Sequence, residues 1–455
     1  MSGDDSRRSA SEPRPAGDVS FLSQVRVVEL DLGKPGELRS PGEFTPVGGC
    51  EERVLALVRH QGHPLGLIAV TSTAGDSGAL HETLAQSAHR QLSVGKELVL
   101  EAAARRRRAA CGKAPAALPL VSVIVCTRDR TEMLPACLDS VLRIDYPRLE
   151  VILVDNAPSG DATERLVRSR YGERIRYVRE PAPGLSRARN RGLTLAGGDI
   201  CAFTDDDALT DPGWVTALVE AFDDGDVACV TGMVLPAELD TQAQLTSEAY
   251  ATGVRGFTAR RWSLRGPLED PLAQFSPGRF GCGANMAFRT AILRATGGFD
   301  PATGAGTPSR GGEDLLAFQQ VLTAGHTVMY QPDAIVWHRH RRTMEALARQ
   351  VEGYGIGYTA FLTAAVRHRP RLLATLLRRL PSGLWRWYRA NQRRTLQPDA
   401  PLLDPRHDDT IRALRRLERR GLLYGPYYYL QGIWRQRHTR GTEDSGRRRT
   451  DSTEE

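Results

Sequence analysis

The stretch from Val121 to Asp207 limits the fold of this chain more than any other part of it. Three apolar runs stand there, Val121-Ser122-Val123-Ile124-Val125-Cys126, Val151-Ile152-Leu153-Val154 and Ile200-Cys201-Ala202-Phe203, with a shorter strand-like run at Ile175-Arg176-Tyr177-Val178. They are continuous rather than alternating, the pattern of strands buried on both faces. Between them lie residues at one-face helical spacing: Leu134, Leu138, Val141 and Leu142, then Leu166 and Val167, then Leu185, Ala188, Gly192, Leu193 and Ala196. Strand and helix in alternation predict an α/β fold with a mostly parallel sheet flanked by helices. In such a sheet the polar exit loops share one edge, which gathers Thr127, Arg128, Asp129, Asp155 and Asp205 to Asp207.

Three adjacent carboxylates repel one another and raise each other's pKa, so they need a cation, hydrogen-bond donors or open water to stay ionised. A hard divalent metal, Mg²⁺ or Mn²⁺, takes oxygen ligands and commonly binds substrate phosphates as well. The same acids also fit a solvated turn that caps a helix starting at Asp211-Pro212-Gly213-Trp214.

On either side the chain changes character. Residues 1–20 read as a disordered polar tail and 21–115 as a small accessory α+β domain, with a strand at Val25–Leu30, a hairpin turning near Gln61-Gly62 and a helix over 80–109 that ends in the run Arg105 to Arg108. Residues 111–119 have the composition of a linker. The α/β domain is expected over 116–345, a helical region over 346–440 and a polar tail over 441–455. The 61 basic and 54 acidic residues leave a net charge of +7, concentrated locally enough to suggest an anionic partner without naming it. Seven scattered cysteines without C-x-x-C spacing argue for a reducing compartment and against a zinc ribbon. The first twenty residues lack an apolar leader, and the longest apolar-leaning stretches fall short of the ~20 residues of a membrane span. A cytoplasmic protein, peripheral at most to the inner face of the cell membrane, is the expectation.

Several blocks in order, Val121–Arg130, Val151–Ser159, Gly184–Gly192, Ala202–Asp207, Gly281–Arg289, Gly297-Gly298-Phe299-Asp300 and Gly312-Glu313-Asp314, resemble the family 2 glycosyltransferases of GT-A fold. The resemblance covers roughly residues 120 to 345. It implies an inverting transfer from a nucleotide-diphosphate sugar to an acceptor hydroxyl of a glycan or lipid-linked molecule, in cell-surface glycan or glycoconjugate synthesis. Thr127, Arg128, Asp129, Asp155, Arg187, Asn190, Asp205 and Asp206 would then lie on the donor side. Asp207, Asp205 and His338 would hold Mn²⁺ or Mg²⁺, and Gly283 and Asn285 would border the acceptor. Glu313 and Asp314 would supply catalysis, with Asp314 the base, since an alcohol attacks well only as its proton is removed. A Leu315-Leu316 pair stands where the family often carries a further acid.

Each of these residues also has a structural reading: an Asx-turn for Asp155, a solvated helix face for Arg187, Arg189 and Arg191, dipole compensation for Glu313-Asp314, and tight backbone turns at the glycines of 281–283. A nucleotidyltransferase would use a similar sheet but wants a glycine in the first exit loop, which Thr127 to Arg130 lack; a dinucleotide oxidoreductase is disfavoured by the missing G-x-G-x-x-G. A membrane-associated scaffold on a degenerate transferase fold is the non-enzymatic alternative. In the C-terminal region, arginines interleave with Trp385, Trp387, Tyr388, Tyr427 to Tyr429 and Trp434, a pattern that suits either a membrane–water interface or helices packed back on the sheet domain. Nucleic acid is not expected, because no recognition motif accompanies it.

Overall fold

The structure is a computed structural model that describes residues 24–41, 52–72, 77–92, 117–250, 256–265, 273–378, 381 and 407–450. The expected tail at 1–20, the arginine run 105–108, the aromatic residues 385–388 and the last five residues of the tail expected over 441–455 lie outside the described residues, as does most of the linker; residues 441–450 of that expected tail continue the last helix instead. The helix expected over 80–109 is described over Ser77–Gln91, with the remainder likewise outside.

The central sheet runs, edge to edge, through the strands Arg260–Trp262, Thr327–His338, Val227–Pro236, Met286–Arg289, Ile200–Asp205, Val121–Thr127, Leu149–Asn156 and Arg176–Glu180. Its first half is parallel as the apolar runs predict: β7 (Arg176–Glu180), β6 (Leu149–Asn156), β5 (Val121–Thr127) and β8 (Ile200–Asp205) lie side by side. The second half is mixed. β12 (Met286–Arg289) runs antiparallel between β8 and β10 (Val227–Pro236), while β13 (Thr327–His338) is parallel to β10 and receives the short antiparallel strands β9 (Ala208–Thr210) and β11 (Arg260–Trp262).

Helices cover both faces. On one, α2 (Leu134–Val141), α3 (Ala162–Arg170) and α5 (Trp214–Ala221) bury Leu138, Val167 and Trp214 against Val123 and Val336. On the other, α4 (Leu185–Leu195), α7 (Thr290–Ala295) and α8 (Glu313–Thr323) cover a core built on Phe203, Phe288, Phe299 and Phe318.

The N-terminal part forms its own sheet, β2 (Leu38–Arg39), β1 (Val25–Asp31), β3 (Glu52–His60) and β4 (His63–Ser72), backed by α1 (Ser77–Gln91). The hairpin turns at Gln61 and Gly62, both at positive φ, as two-residue connections require. Its other face shares a core with the central sheet, where Val27, Leu55 and Leu57 meet Met233, Leu235 and Trp337. Buried Arg59 is held between Glu29 of the same sheet and Asp211 before α5, which fixes the two sheets electrostatically as well.

After α6 (Gln242–Tyr250), the C-terminal region is a helical pair, α9 (Met344–His368) and α10 (His407–Thr450). Close approach is made possible by glycine: a Cβ on Gly355 would stand 2.0 Å from the Glu418 carbonyl, and one on Gly425 would stand 2.4 Å from that of Ile356. Pro426 inside α10 has no N–H to offer the carbonyl four residues back. That carbonyl, on Leu422, accepts instead from the Thr359 hydroxyl of α9 at 2.9 Å. The far side of α9 rests on Gly311 and Gly312, and this is how the helical pair reaches the site.

Candidate active site

The polar exit loops do meet at one sheet edge. Thr127 at the end of β5 donates to Asp206 at 2.7 Å, and Arg130, one turn further, donates to Asp206 at 2.7 Å and to Asp207 at 2.9 Å. Asp129, at φ 52°, accepts from the backbone N–H and hydroxyl of Ser159, both at 2.9 Å, and so ties the β5 loop to the β6 loop. These two donors hold its carboxyl below the usual range. Asp155 is fully buried at the end of β6 and accepts from the Tyr177 hydroxyl at 2.8 Å; burial pushes its pKa up against that bond. Arg128 points outward beside Asp129.

Asp205, Asp207 and His338 offer ligand atoms that all lie within 4.8 Å of one another. The β9–β13 pairing brings His338 to this corner, since Ala208 directly faces it across the ladder. His338 Nε2 stands 3.1 Å from Asp207, with Arg341 3.6 Å away on the other oxygen. Burial alone would raise the Asp207 carboxyl, but His338 and then Arg130 and Arg341 outweigh it and hold the group well below the carboxylate range. Burial would lower His338, and the facing Asp207 reverses this to a raised pKa. Two carboxylates and an imidazole, pre-gathered at a loop corner, are a donor set that fits Mn²⁺ well and Mg²⁺ adequately.

The second acid group lies at the start of α8. Gly312, at φ 90°, turns the chain against Gly357 of α9, where a Cβ would stand 2.4 Å from the Gly357 carbonyl. Glu313 then points inward, 6% exposed, and accepts from Arg189 of α4 at 2.9 Å. Asp314 is half-buried and accepts from the Gly283 N–H at 2.9 Å. Burial, and next the neighbouring Asp314, push Glu313 up to about 7, and burial raises Asp314 as well. The glycine-rich stretch 304–312 is folded on itself: Gly304 N–H donates to Gly311, and Ser309 Oγ to Ala302.

Arg189, only 2% exposed, connects the two groups. Besides Glu313 it contacts Asp205 at 3.3 Å and donates to the Gly283 carbonyl at 3.2 Å. It was missed among the basic residues of 187–191, although it shares a helical face with Leu185, Gly192 and Leu193, where a side chain points to the core. Arg130 was missed for a similar reason, since an arginine in a loop reads as solvated.

Four expectations need correction. Asn285, expected at the acceptor cleft, is 0% exposed; its side chain accepts from Trp214 Nε1 at 2.8 Å and donates to the carbonyls of Met233 and Ala334 at 2.9 and 2.8 Å, which satisfies core groups where β10 and β13 shift register. Asn190, expected on the donor, brackets the backbone of Phe299 with bonds of 2.7 and 2.9 Å. Asp206 is buried and spent on Thr127 and Arg130, a brace rather than a donor contact. Glu313 is turned to Arg189 and buried, so of the pair Asp314 is the one that keeps some exposure. Arg187, half-exposed at the start of α4, and Gly283 remain beside the site.

Residues 122–297 match the family described as Glycosyl transferase family 2. The match runs from β5 through α7, so this part of the central α/β domain is similar to the family 2 glycosyltransferases. Among the relatives are the glucosyl-dolichyl phosphate glucuronosyltransferase of Haloferax volcanii, 26% identical over 48% of this chain and 69% of its own length, and the succinoglycan biosynthesis protein ExoM of Rhizobium meliloti, 31% identical over 48% and 65%. A pre-mycofactocin glycosyltransferase of Mycobacterium tuberculosis is 28% identical over 45% of this chain and 42% of its own. The chain thus spans about two thirds, or less, of the relatives it matches. A mannosyltransferase from Pyrobaculum calidifontis, solved with GDP-Man and Mn²⁺, aligns over 71% of this chain and 94% of its own at 20% identity and a TM-score of 0.43.

Proposed function

We propose that the protein transfers a sugar from a nucleotide-diphosphate donor to an acceptor hydroxyl, with inversion at the anomeric carbon, in the synthesis of a glycan or glycoconjugate. The observation that carries this reading is the division of one cleft into two acid groups in opposite electrostatic states, linked through Arg189. Asp205, Asp207 and His338 would hold Mn²⁺ or Mg²⁺. When bound, the metal supplies Lewis-acid stabilisation of the charge that grows on the departing nucleotide diphosphate.

The chain's own residues do the rest. Asp155 ends β6 beside the β5 loop; being wholly buried, it would have to be uncovered before it could accept the imide N–H of a uracil or thymine. Arg130 fixes Asp207 in place, and Arg187 can donate to donor phosphates from the first turn of α4. Asp314 takes the proton from the attacking acceptor hydroxyl. Its raised pKa suits that role, because a base is most useful when its pKa lies nearer to working pH. The Gly283 N–H aims the carboxylate, and Glu313 with Arg189 fixes the start of α8 from beneath. A base on one side of the sugar and a leaving diphosphate on the other yield inversion by a single displacement.

The test is binding and slow hydrolysis of a panel of UDP-, dTDP- and GDP-sugars with Mn²⁺ and with EDTA. Metal-dependent turnover of one donor is the expected result and would name the sugar. If no nucleotide sugar bound with any metal, the transferase reading would fail and a scaffold would replace it.

A further inference from the structure

The face of α10 turned away from α9 carries an ordered pattern that the transfer chemistry does not use. Leu423, Tyr427, Leu430 and Trp434 are 78%, 62%, 58% and 59% exposed. Their spacing of four, three and four residues places them in one narrow stripe, about 16 Å long at the rise of an α-helix. The opposite side of the same helix holds the buried positions Gly421, Gly425, Tyr429 and Gly432 that pack on α9 and the sheet domain. The stripe is thus set by the packing of α10 and is not a frayed or twisted end.

Its surroundings are mainly basic. Arg416, Arg419 and Arg420 are exposed before it, and Arg435 and Arg437 after it, with no exposed acid between Arg416 and His438; Arg412, a turn earlier, is paired with exposed Asp409 at 2.8 Å. Glu418, the acid within that span, is turned inward to the Tyr250 hydroxyl. Among the described residues no helix is long and apolar enough to cross a membrane.

We propose that this face of α10 lies flat on an anionic lipid bilayer, with the Leu-Tyr-Leu-Trp stripe in the headgroup–acyl boundary and the arginines on lipid phosphates. Charge decides the occupant. A second copy of the chain would bring arginine rim against arginine rim, and the basic segment 385–394 would meet the same repulsion. A polynucleotide would suit the arginines but would leave Leu423 and Leu430 in water, whereas an interfacial helix uses both, with aromatic side chains at headgroup depth. The orientation also follows: α9 lies between α10 and the Gly311-Gly312 turn, so the bilayer would sit on the α8 side of the catalytic cleft. The inference concerns a surface and does not rest on the transferase reading.

The experiment uses the full chain with vesicles of phosphatidylcholine alone and of phosphatidylcholine mixed with phosphatidylglycerol. Cosedimentation is expected only with the anionic vesicles and should weaken with added salt. Brominated lipid should quench a component of the tryptophan emission that is missing in Trp434→Phe. Two variants divide the contributions: Leu423→Ser/Tyr427→Ser/Leu430→Ser/Trp434→Ser removes the stripe, and Arg416→Glu/Arg419→Glu/Arg420→Glu reverses part of the rim. Each should reduce bound protein at least tenfold while far-UV circular dichroism and the unfolding transition stay as in the parent. The charge-reversal and quenching results stand alone if the stripe variant does not fold. Absence of binding to anionic vesicles would overturn the proposal, as would binding untouched by charge reversal or an emission that brominated lipid leaves unchanged. A dimer that the stripe variant dissociates, or equal retention by RNA and vesicles, would also assign the face to another occupant.

Discussion

The acids of the β8–β9 turn and those at the start of α8 share one cleft but are treated oppositely by their surroundings. Asp207 is buried among His338, Arg130 and Arg341, which hold it anionic far below the usual range. Glu313 and Asp314 are raised instead: burial outweighs the one guanidinium between them and the metal corner, and Glu313 reaches about 7. A permanently ionised carboxylate suits a metal, and a raised one suits a proton. When neighbouring groups have their pKa values driven apart, their environments assign the roles.

The largest expected effect comes from removing the proton acceptor. Asp314→Asn should lower transfer by about 10²–10⁴-fold, the usual contribution of a general base, with donor affinity unchanged. Equal activity would erase the contrast between the groups. Next is Arg189→Met, which leaves Glu313 buried without its cation; breaking a buried pair costs about 3–5 kcal/mol. Here the cost should depend on pH, because Glu313 can take up a proton. A carboxyl raised from 4.5 to about 7 in the folded state binds more protons folded than unfolded across that window, so its contribution to stability falls as pH rises through it. Loss of Arg189 raises the group further, and urea unfolding should show a larger deficit at pH 8 than at pH 6. A pH-independent deficit would place the cost in packing instead.

His338→Asn should weaken Mn²⁺ binding more than Mg²⁺ binding, since imidazole favours the transition metal, and titration calorimetry with each ion reads the difference. Asn285→Ala stands outside both groups and is the control. It strands Trp214 Nε1 and two carbonyls, at a cost of about 1–3 kcal/mol, and should leave the kinetic constants of the folded enzyme unchanged. A changed acceptor KM would restore Asn285 to the cleft.

The parallel half of the sheet was legible because strands buried on both faces must be continuous apolar runs, and each ended at its acids. The triple aspartate and the Glu313-Asp314 pair could likewise be read, as acids following an apolar run and preceding a helix. The cations that set their states could not. Arg130 and Arg189 sit where arginine is ordinarily solvated: Arg130 is engaged by Asp206 and Asp207 of the β8–β9 turn, and Arg189 is buried against Gly283 and Glu313, some hundred residues farther along the chain. Asn190 and Asn285 show the converse: each amide looks like a ligand contact until the backbone of Phe299 takes up Asn190 and the carbonyls of β10 and β13 take up Asn285. The mixed half of the sheet was hidden too, because antiparallel insertion of β12 depends on pairing and not on local pattern.

The most direct measurement compares Asp207→Ala and Asp314→Asn side by side, with donor and Mn²⁺ affinity from calorimetry and transfer from single-turnover kinetics. Loss of metal-dependent donor binding in Asp207→Ala, together with parent-like binding but stalled transfer in Asp314→Asn, is the expected result. If both variants lost binding alike, or if Asp207→Ala bound donor and metal as the parent does, the division of the cleft into a metal corner and a proton acceptor would be contradicted.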